Sequence, residues 1–522
     1  MTSSTSSRLV LALLANVAIA STACGDSFEG TQAEQPAPGV QAPSGTGGGE
    51  PAKGPPVGGP AAQSDLTDAL GVFVSPSGQD DADGTHVHPL ATIQAGIGHA
   101  KAAGKRVFVC AGTYREALVL ADSISVVGGL DCTATEWRTS AGFSRVDAPS
   151  SPAIRATDLT SATRLEGLDI HAPDAVAPSA SSIGLLAYRA SSLSVARTKI
   201  VAGHGKKGDD GADGVQLVQS ASANGGSAIV AGECSAFSAC ANTELYKPAV
   251  TAGGTNTCQG AANFTGQAGG FGGSGGKWEV VMSGNLVFQV YQQKFSLGPS
   301  AGETNHTSAA GADGTPGANA AALGTFSKDG YLAAAGADGS NGAVGSGGAG
   351  GSGMKPDGLG NYVGAIWHGH NAAGGGAGGC PGLGGTGGKG GGASVAAVLI
   401  ESQVTIDSSE LVGGSGGDAG LGAFGSVATP GGQAGANPTG FGSLVAQPGG
   451  RGGAAGAGGN GSAGPSAAIV HAGAAPKLVG TNTITHGAGG SAVDARSRTD
   501  ALGITKTIPA TPAGAANDIL AL

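Results

Sequence analysis

Arg106-Val107-Phe108-Val109-Cys110, followed by Ser123-Ile124-Ser125-Val126-Val127 running into Gly128-Gly129-Leu130-Asp131-Cys132, is the stretch that decides the fold. Both runs are apolar, β-branched and of strand length. Each leads to a cysteine, and Cys110 and Cys132 are 22 residues apart. Stacked repeats return to the same place after about 20 residues or more. Neighbouring strands in such a stack lie ~4.8 Å apart. That separation is within disulfide reach, so the spacing predicts a Cys110–Cys132 bridge.

Working outward, Gly71-Val72-Phe73-Val74 reads as a strand entering the turn Ser75-Pro76-Ser77-Gly78. Leu90, Ile93, Ile97 and Ala100 fall at helical spacing, with Gly104 placed to end the helix. Downstream, one pattern recurs: apolar, two residues, small or polar, one residue, apolar. It reads Val195-Thr198-Ile200, Ile406-Ser409-Leu411 and Val479-Asn482-Ile484, with Leu165-Leu168-Ile170 close to it. Gly203, Gly413 and Gly487 follow three of these blocks. The pattern predicts stacked circuits with aliphatic residues inside, Gly or Asn at left-handed corners, and Val107–Val109, Val195–Ile200 and Ile406–Leu411 in one continuous sheet.

The opening pieces Phe73-Val74-Ser75-Pro76-Ser77-Gly78, Asp83-Gly84, Pro89-Leu90-Ala91-Thr92-Ile93-Gln94, Val107-Phe108-Val109, Ala111-Gly112-Thr113-Tyr114 and Glu116 resemble the uncharacterised domain that begins many right-handed parallel β-helix proteins, some of them pectate-lyase-like. The resemblance implies an all-β fold: a right-handed parallel β-helix, or solenoid, whose open end the helix caps. It covers about sixty residues and spans enzymes and non-enzymes alike.

Between the apolar blocks lie glycine-rich segments. The chain holds 102 glycines in 522 residues, where an average protein has about 7%. Gly336, Gly339, Gly342, Gly345, Gly348 and Gly351 are strictly periodic, and so are Gly376, Gly379, Gly382, Gly385, Gly388 and Gly391. A period of three belongs to the polyproline II helix. The runs are too short and too poor in proline for collagen. Two readings stay open: side-by-side polyglycine-II-like helices, or disordered loops. The Gly-Gly-x texture from Gly203 to Gly464 resembles the glycine-rich surface proteins called PGRS-type, interrupted by a hairpin expected near 277–292 around Ser283-Gly284-Asn285.

The N-terminus carries the localisation. Arg8 precedes an apolar run from Leu9 to Ala20, then Ser21, Thr22, Ala23 and Cys24. The run is too short to span a bilayer. It resembles a bacterial lipoprotein signal over 1–23, which implies a lipid, palmitate-type anchor on Cys24 and the membrane as a partner. Gly25 stands where an inner-membrane retention signal would show Asp, and by resemblance this favours the outer membrane of a Gram-negative bacterium, at its surface or periplasmic face. Residues 24–67, rich in Gly, Pro and Ser, read as a disordered tether. The body is then expected at 68–203, the glycine-rich insertion at 204–393, further circuits at 394–490 and a tail at 491–522. Export suits disulfides, and with Cys24 set aside six cysteines remain. The pairing of Cys234, Cys240, Cys258 and Cys380 is left open.

A formal net charge of −10 argues against nucleic acid as a partner. Gly203-His204-Gly205 and Arg197-Thr198-Lys199 resemble two motifs of the polygalacturonase family, but here their order is reversed, and Asp209-Asp210 follow rather than precede them. Asp80, Asp81 and Asp83 lack the full calcium-loop spacing, and the pairs His86/His88 and His368/His370 have no evident link. No catalytic residue, metal ligand or cofactor is expected. The expectation is an envelope lipoprotein with a structural or adhesive role, whose partners would be polysaccharide or neighbouring cell-surface components. The alternative is a polysaccharide-binding or polysaccharide-cleaving β-helix protein, which a charged or aromatic cleft along one sheet face would favour.

Overall fold

A computed structural model describes residues 61–133, 136–229, 250–260, 264–283, 290–297, 299–354, 366–368, 370–436 and 445–522. The signal, Cys24, nearly all of the tether, Cys234 and Cys240 lie outside them.

The described chain is β-rich, with three parallel sheets and one α-helix. The first sheet stacks Gly71–Val74, Arg106–Cys110, Val126–Leu130, Thr163–Glu166, Leu193–Ala196, Val404–Asp407 and Lys477–Val479. The second stacks Gly112–Tyr114, Ser144–Asp147, Leu168–His171, Lys199–Val201, Glu410–Val412 and Thr483–Thr485. The third stacks Leu118–Val119, Ile154–Thr157, Ser182–Tyr188, Ser394–Ile400, Ser466–Ala472 and Ala516–Ala521. From Arg106 onward the chain visits first, second and third sheet in unbroken rotation. One buried aliphatic cluster draws on all three, including Val107, Val195 and Ile406 from the first, Ile170, Ile200 and Leu411 from the second, and Ile154, Leu399 and Ile469 from the third.

The recurring block straddles two sheets. Val195 pairs with Leu165 and Ile406 in the first, while Ile200 pairs with Ile170 and Leu411 in the second. Its positions therefore do not share one sheet, because a left-handed residue inside the block turns the chain: Gly167, Arg197, Ser408 or Gly480. A second left-handed column, Asp158, Arg189, Glu401 and Gly473, follows the strands of the third sheet. The expected corner glycines Gly203, Gly413 and Gly487 are not left-handed. They are glycine because of close approach: a β-carbon would sit 2.6 Å from the Asp174 amide nitrogen at Gly203, 2.5 Å from the Ala467 oxygen at Gly413 and 2.6 Å from the Gly414 oxygen at Gly487. In the fourth block Leu478, not Val479, pairs with Ile406, so that corner holds one extra residue.

Helix α1, Ile93–Ala103, buries Ile93, Gly96, Ile97 and Ala100 against the first strands of the first and third sheets. Thr92 caps its start and left-handed Gly104 its end. Cys110 and Cys132 are bridged, with Cα atoms 5.6 Å apart, as the spacing predicts; Cys258 and Cys380 form a second bridge. The third sheet is covered on its outer face by the hairpin Thr325–Ser327/Gly330–Leu332, whose Phe326 and Tyr331 pack on Leu186, Val398 and Val470. Burial on both faces explains the unbroken apolar run Val395-Ala396-Ala397-Val398-Leu399-Ile400.

The last three passages from second to third sheet are the places where the chain leaves the stack. It does so with residues 202–393, 413–465 and 486–515. These segments hydrogen-bond to one another with a period of three. Gly379, Gly382, Gly385 and Gly388 donate to the carbonyls of Gly450, Gly453, Gly456 and Gly459 (2.9–3.1 Å). Their own carbonyls accept from Gly345, Gly342, Gly339 and Gly336 (2.9–3.0 Å). One residue along, Cys380, Leu383 and Thr386 accept from Thr429, Ser426 and Ala423. Segment 376–392 thus presents different faces to different neighbours. Two sequence expectations shift. The hairpin near 277–292 pairs Lys277–Ser283 with Val290–Leu297, later than Leu286–Tyr291. Residues 491–522 are not a tail: they supply a hairpin, Arg496–Thr499/Thr505–Ile508, and the last strand of the third sheet.

Candidate functional site

Glycine segments expose a peptide group every third residue on each face, and each buried group needs a partner. A side chain next to the donating residue supplies part of the answer. Gly314 donates to the Ala454 carbonyl (2.7 Å), and Asp313 Oδ1 accepts the Ala454 amide (2.8 Å). Gly214 and Asp213 grip Phe424 in the same way (2.9 and 2.8 Å), and Gly211 and Asp210 grip Leu421 (2.7 and 2.8 Å). Gly225 with Asn224 grips Gln433, and Ala320 with Asn319 grips Asn460. Each is a two-bond clasp on one residue of the neighbouring segment.

His204 belongs to this set. Gly205 donates to the Ser415 carbonyl (2.9 Å) while His204 Nδ1 accepts the Ser415 amide (3.0 Å). The imidazole is a clasp in the glycine array. Of the other residues in that resemblance, Arg197 pairs with Glu166 (2.6 Å), Lys199 with Glu410 (3.1 Å) and Asp210 with Lys207 (2.9 Å), while Asp209 is exposed and its carbonyl accepts the Lys389 amide. The motif residues are spent on separate partners. Partial burial pulls the Asp210 carboxyl upward, but the Leu421 amide and Lys207 outweigh it and hold it below its ordinary value. The Ala454 amide holds Asp313 low, against some burial and with help from Arg451.

The clasps carry a sequence signal that composition hid. Gly-Ala-Asp-Gly occurs at 211–214, 311–314 and 336–339. In the third copy Asp338 Oδ1 accepts the Gly387 amide (2.7 Å).

The C-terminal hairpin locks onto the same array. Arg498 donates to the Gly425 carbonyl (2.8 Å), pairs with Asp213 (2.9 Å) and lies over the Phe424 ring at 4.6 Å. Arg496 bonds the Gly422 carbonyl, and Lys506 the Ser426 carbonyl (3.2 Å). Burial lowers the Lys506 amine. A cleft of about 230 Å³ remains between this hairpin and the array, lined by residues that include Asp313, Pro316, Ile504 and Lys506.

A second feature is the outer face of the second sheet. Register places Thr113, Arg145, Asp169, Lys199, Glu410 and Thr483 in one row, with Asp147 and His171 beside it. Arg145 pairs with Asp147 (2.8 Å) and Asp169 (3.6 Å), and His171 Nε2 with Asp169 (2.8 Å). Neighbouring charges alternate in sign and pair within the row. An Asp–His couple can orient an imidazole for proton transfer.

The remaining candidates cap and brace. Asp80 accepts the Ala91 and Thr92 amides at the helix start, and Asp83 accepts the Thr85 amide, which holds its carboxyl low; Asp81 is exposed. His86 pairs with Asp68 (2.8 Å) and His88 lies 3.8 Å from Asp83. His368 lies in the strand Ile366–His368, opposite Lys277, and the His370 carbonyl accepts the Met354 amide. Among the described residues no three His, Cys, Asp or Glu side chains are grouped to hold a metal, and no helix is long and apolar enough to cross a membrane. Compared with known protein families, curated proteins and solved structures, the chain matches none.

Proposed function

We propose that the chain is an exported envelope lipoprotein, anchored through Cys24 and held off the membrane by residues 24–67, with a structural or adhesive role and no catalysis. The three sheets visited in rotation support a right-handed parallel β-helix as its body, and the period-three ladders support a polyglycine-II bundle packed beside it. The observation that carries the role is the fate of the polar side chains. His204, Asp210, Asp213 and Asp313 are committed to neighbouring backbone, so the chemistry-bearing residues serve cohesion.

Metabolic labelling with a palmitate analogue tests the anchor: wild type takes up label and Cys24→Ser does not, and equal labelling discards it. Cell-attachment assays on wild-type and Cys24→Ser cells test the role; attachment that does not fall when the protein leaves the envelope overturns it.

The alternative reading, a polysaccharide-binding or polysaccharide-cleaving protein, is favoured by the charged row of Arg145, Asp169, His171 and Lys199. A glycan array is its test. Binding that disappears with Arg145→Ala and Lys199→Ala would displace the purely structural reading.

A further inference from the structure

The two ends of the sheet stack differ. At one end, helix α1 packs on the first strands of the first and third sheets. At the other, Lys477–Val479, Thr483–Thr485 and Ala516–Ala521 are the last strands of the three sheets, each paired on one side alone among the described residues. Their residues are exposed or half-exposed throughout. The core columns also break off there. Ile406 is 1% exposed, and its register partner Leu478 is 44% exposed. Ile469 is 0% exposed, and its partner Ile519 is 39% exposed. Unpaired strand edges around an apolar centre are a template for further pairing.

We infer that this end docks on the same end of a second copy, forming a closed two-fold dimer. The inference rests on the stacked-circuit reading. A single added peptide strand would pair one of the three edges and leave two open. A second copy offers all three edges and an apolar centre of matching size. The helix-covered end offers no edge to such a contact at the first and third sheets, so head-to-tail growth is blocked. Tail-to-tail pairing is isologous and closes on itself. A two-fold axis across the stack reverses strand direction, so Ala516–Ala521 meets its own copy antiparallel and Lys477–Val479 meets the partner's second-sheet edge.

The test is the mass in solution of the full chain carrying Cys24→Ser, by light scattering and sedimentation. The expected result at about 100 µM, a concentration that populates micromolar dimers, is twice the chain mass. Leu478→Lys with Ile519→Lys returns it to one chain mass with an unchanged melting curve. Should that double variant melt early, the milder Leu522→Lys, at a half-exposed position, is read instead and weakens the dimer at least tenfold. One chain mass for the parent protein, a dimer that persists in the variant that melts normally, or open-ended oligomers overturns the inference. Labelling of Cys24 and cell attachment are read separately, so either conclusion can fail alone.

Discussion

At Gly382 a β-carbon would lie 2.5 Å from the Ser426 carbonyl oxygen and 2.8 Å from the Ala455 amide nitrogen, backbone on both sides. Neither neighbour can rotate away. Gly382→Ala is expected to destabilise the protein by about 2 kcal/mol or more, the scale of overpacking. Gly98 is the counterpart. It is exposed on helix α1 with nothing within 4 Å of its β-carbon position, and Gly98→Ala is expected to stabilise by about 0.5–1 kcal/mol. Denaturant melts of the two variants check both signs, and matching effects would refute the close-packing account. The clasping carboxylates add a pH dependence. Asp210 and Asp313 titrate below their ordinary 3.8 in the folded chain. A lowered carboxylate contributes stability that is present above its unfolded value and lost as pH falls through the folded one. Acid below about pH 4 should therefore loosen the glycine array first. Hydrogen exchange at Leu421 and Ala454 reads this directly, and Asp210→Asn with Asp313→Asn flattens the pH response.

At the scale of elements, the bridges differ in the chain they close. Cys258–Cys380 spans 122 residues and Cys110–Cys132 spans 22. Loop-closure entropy assigns about 5 and about 3 kcal/mol respectively. Melts of Cys380→Ser and Cys110→Ser are expected to rank in that order. The shorter bridge was legible in the sequence because each cysteine follows an apolar run and the two runs pair side by side; Cys110 is in register with Leu130, and Cys132 stands just past it. The longer one was not, since Cys258 and Cys380 meet through the glycine array, whose pairing has no hydrophobic pattern to read. The same limit explains the corners. Aliphatic positions such as Val195 and Ile200 announce burial, but Arg197 and Ser408 announce nothing about a left-handed backbone, a conformation usually left to glycine. The reversed motif order already argued against catalysis by His204, but its role as a clasp was not legible. Its partner Ser415 is distant in sequence and is reached through the array.

For the whole molecule, the question is whether the sheet stack and the glycine array are one cooperative body. The earlier circuit answers part of it. There, residues 172–181 alone carry the chain from His171 in the second sheet to Ser182 in the third. Ser394, Ser466 and Ala516 stand in register with Ser182, so the same connector spans all three passages. Replacing 202–393, 413–465 and 486–515 with copies of 172–181 removes the array without moving a sheet strand. The excision also removes Phe326 and Tyr331, which cover Leu186, Val398 and Val470. The shortened chain should therefore keep its β circular dichroism yet bind a hydrophobic dye and aggregate, because a large apolar patch on a monomer is a sticking surface. Adding Leu186→Thr, Val398→Thr and Val470→Thr should restore solubility, since these residues face away from the interior column of Leu185, Ala397 and Ile469. A soluble, cooperatively melting product shows that the sheets fold on their own aliphatic core and that the array is an attachment grown from one corner. If the chain is instead unfolded even with the three threonines, the backbone clasps of the array are part of what holds the sheets, and the two form a single folding unit.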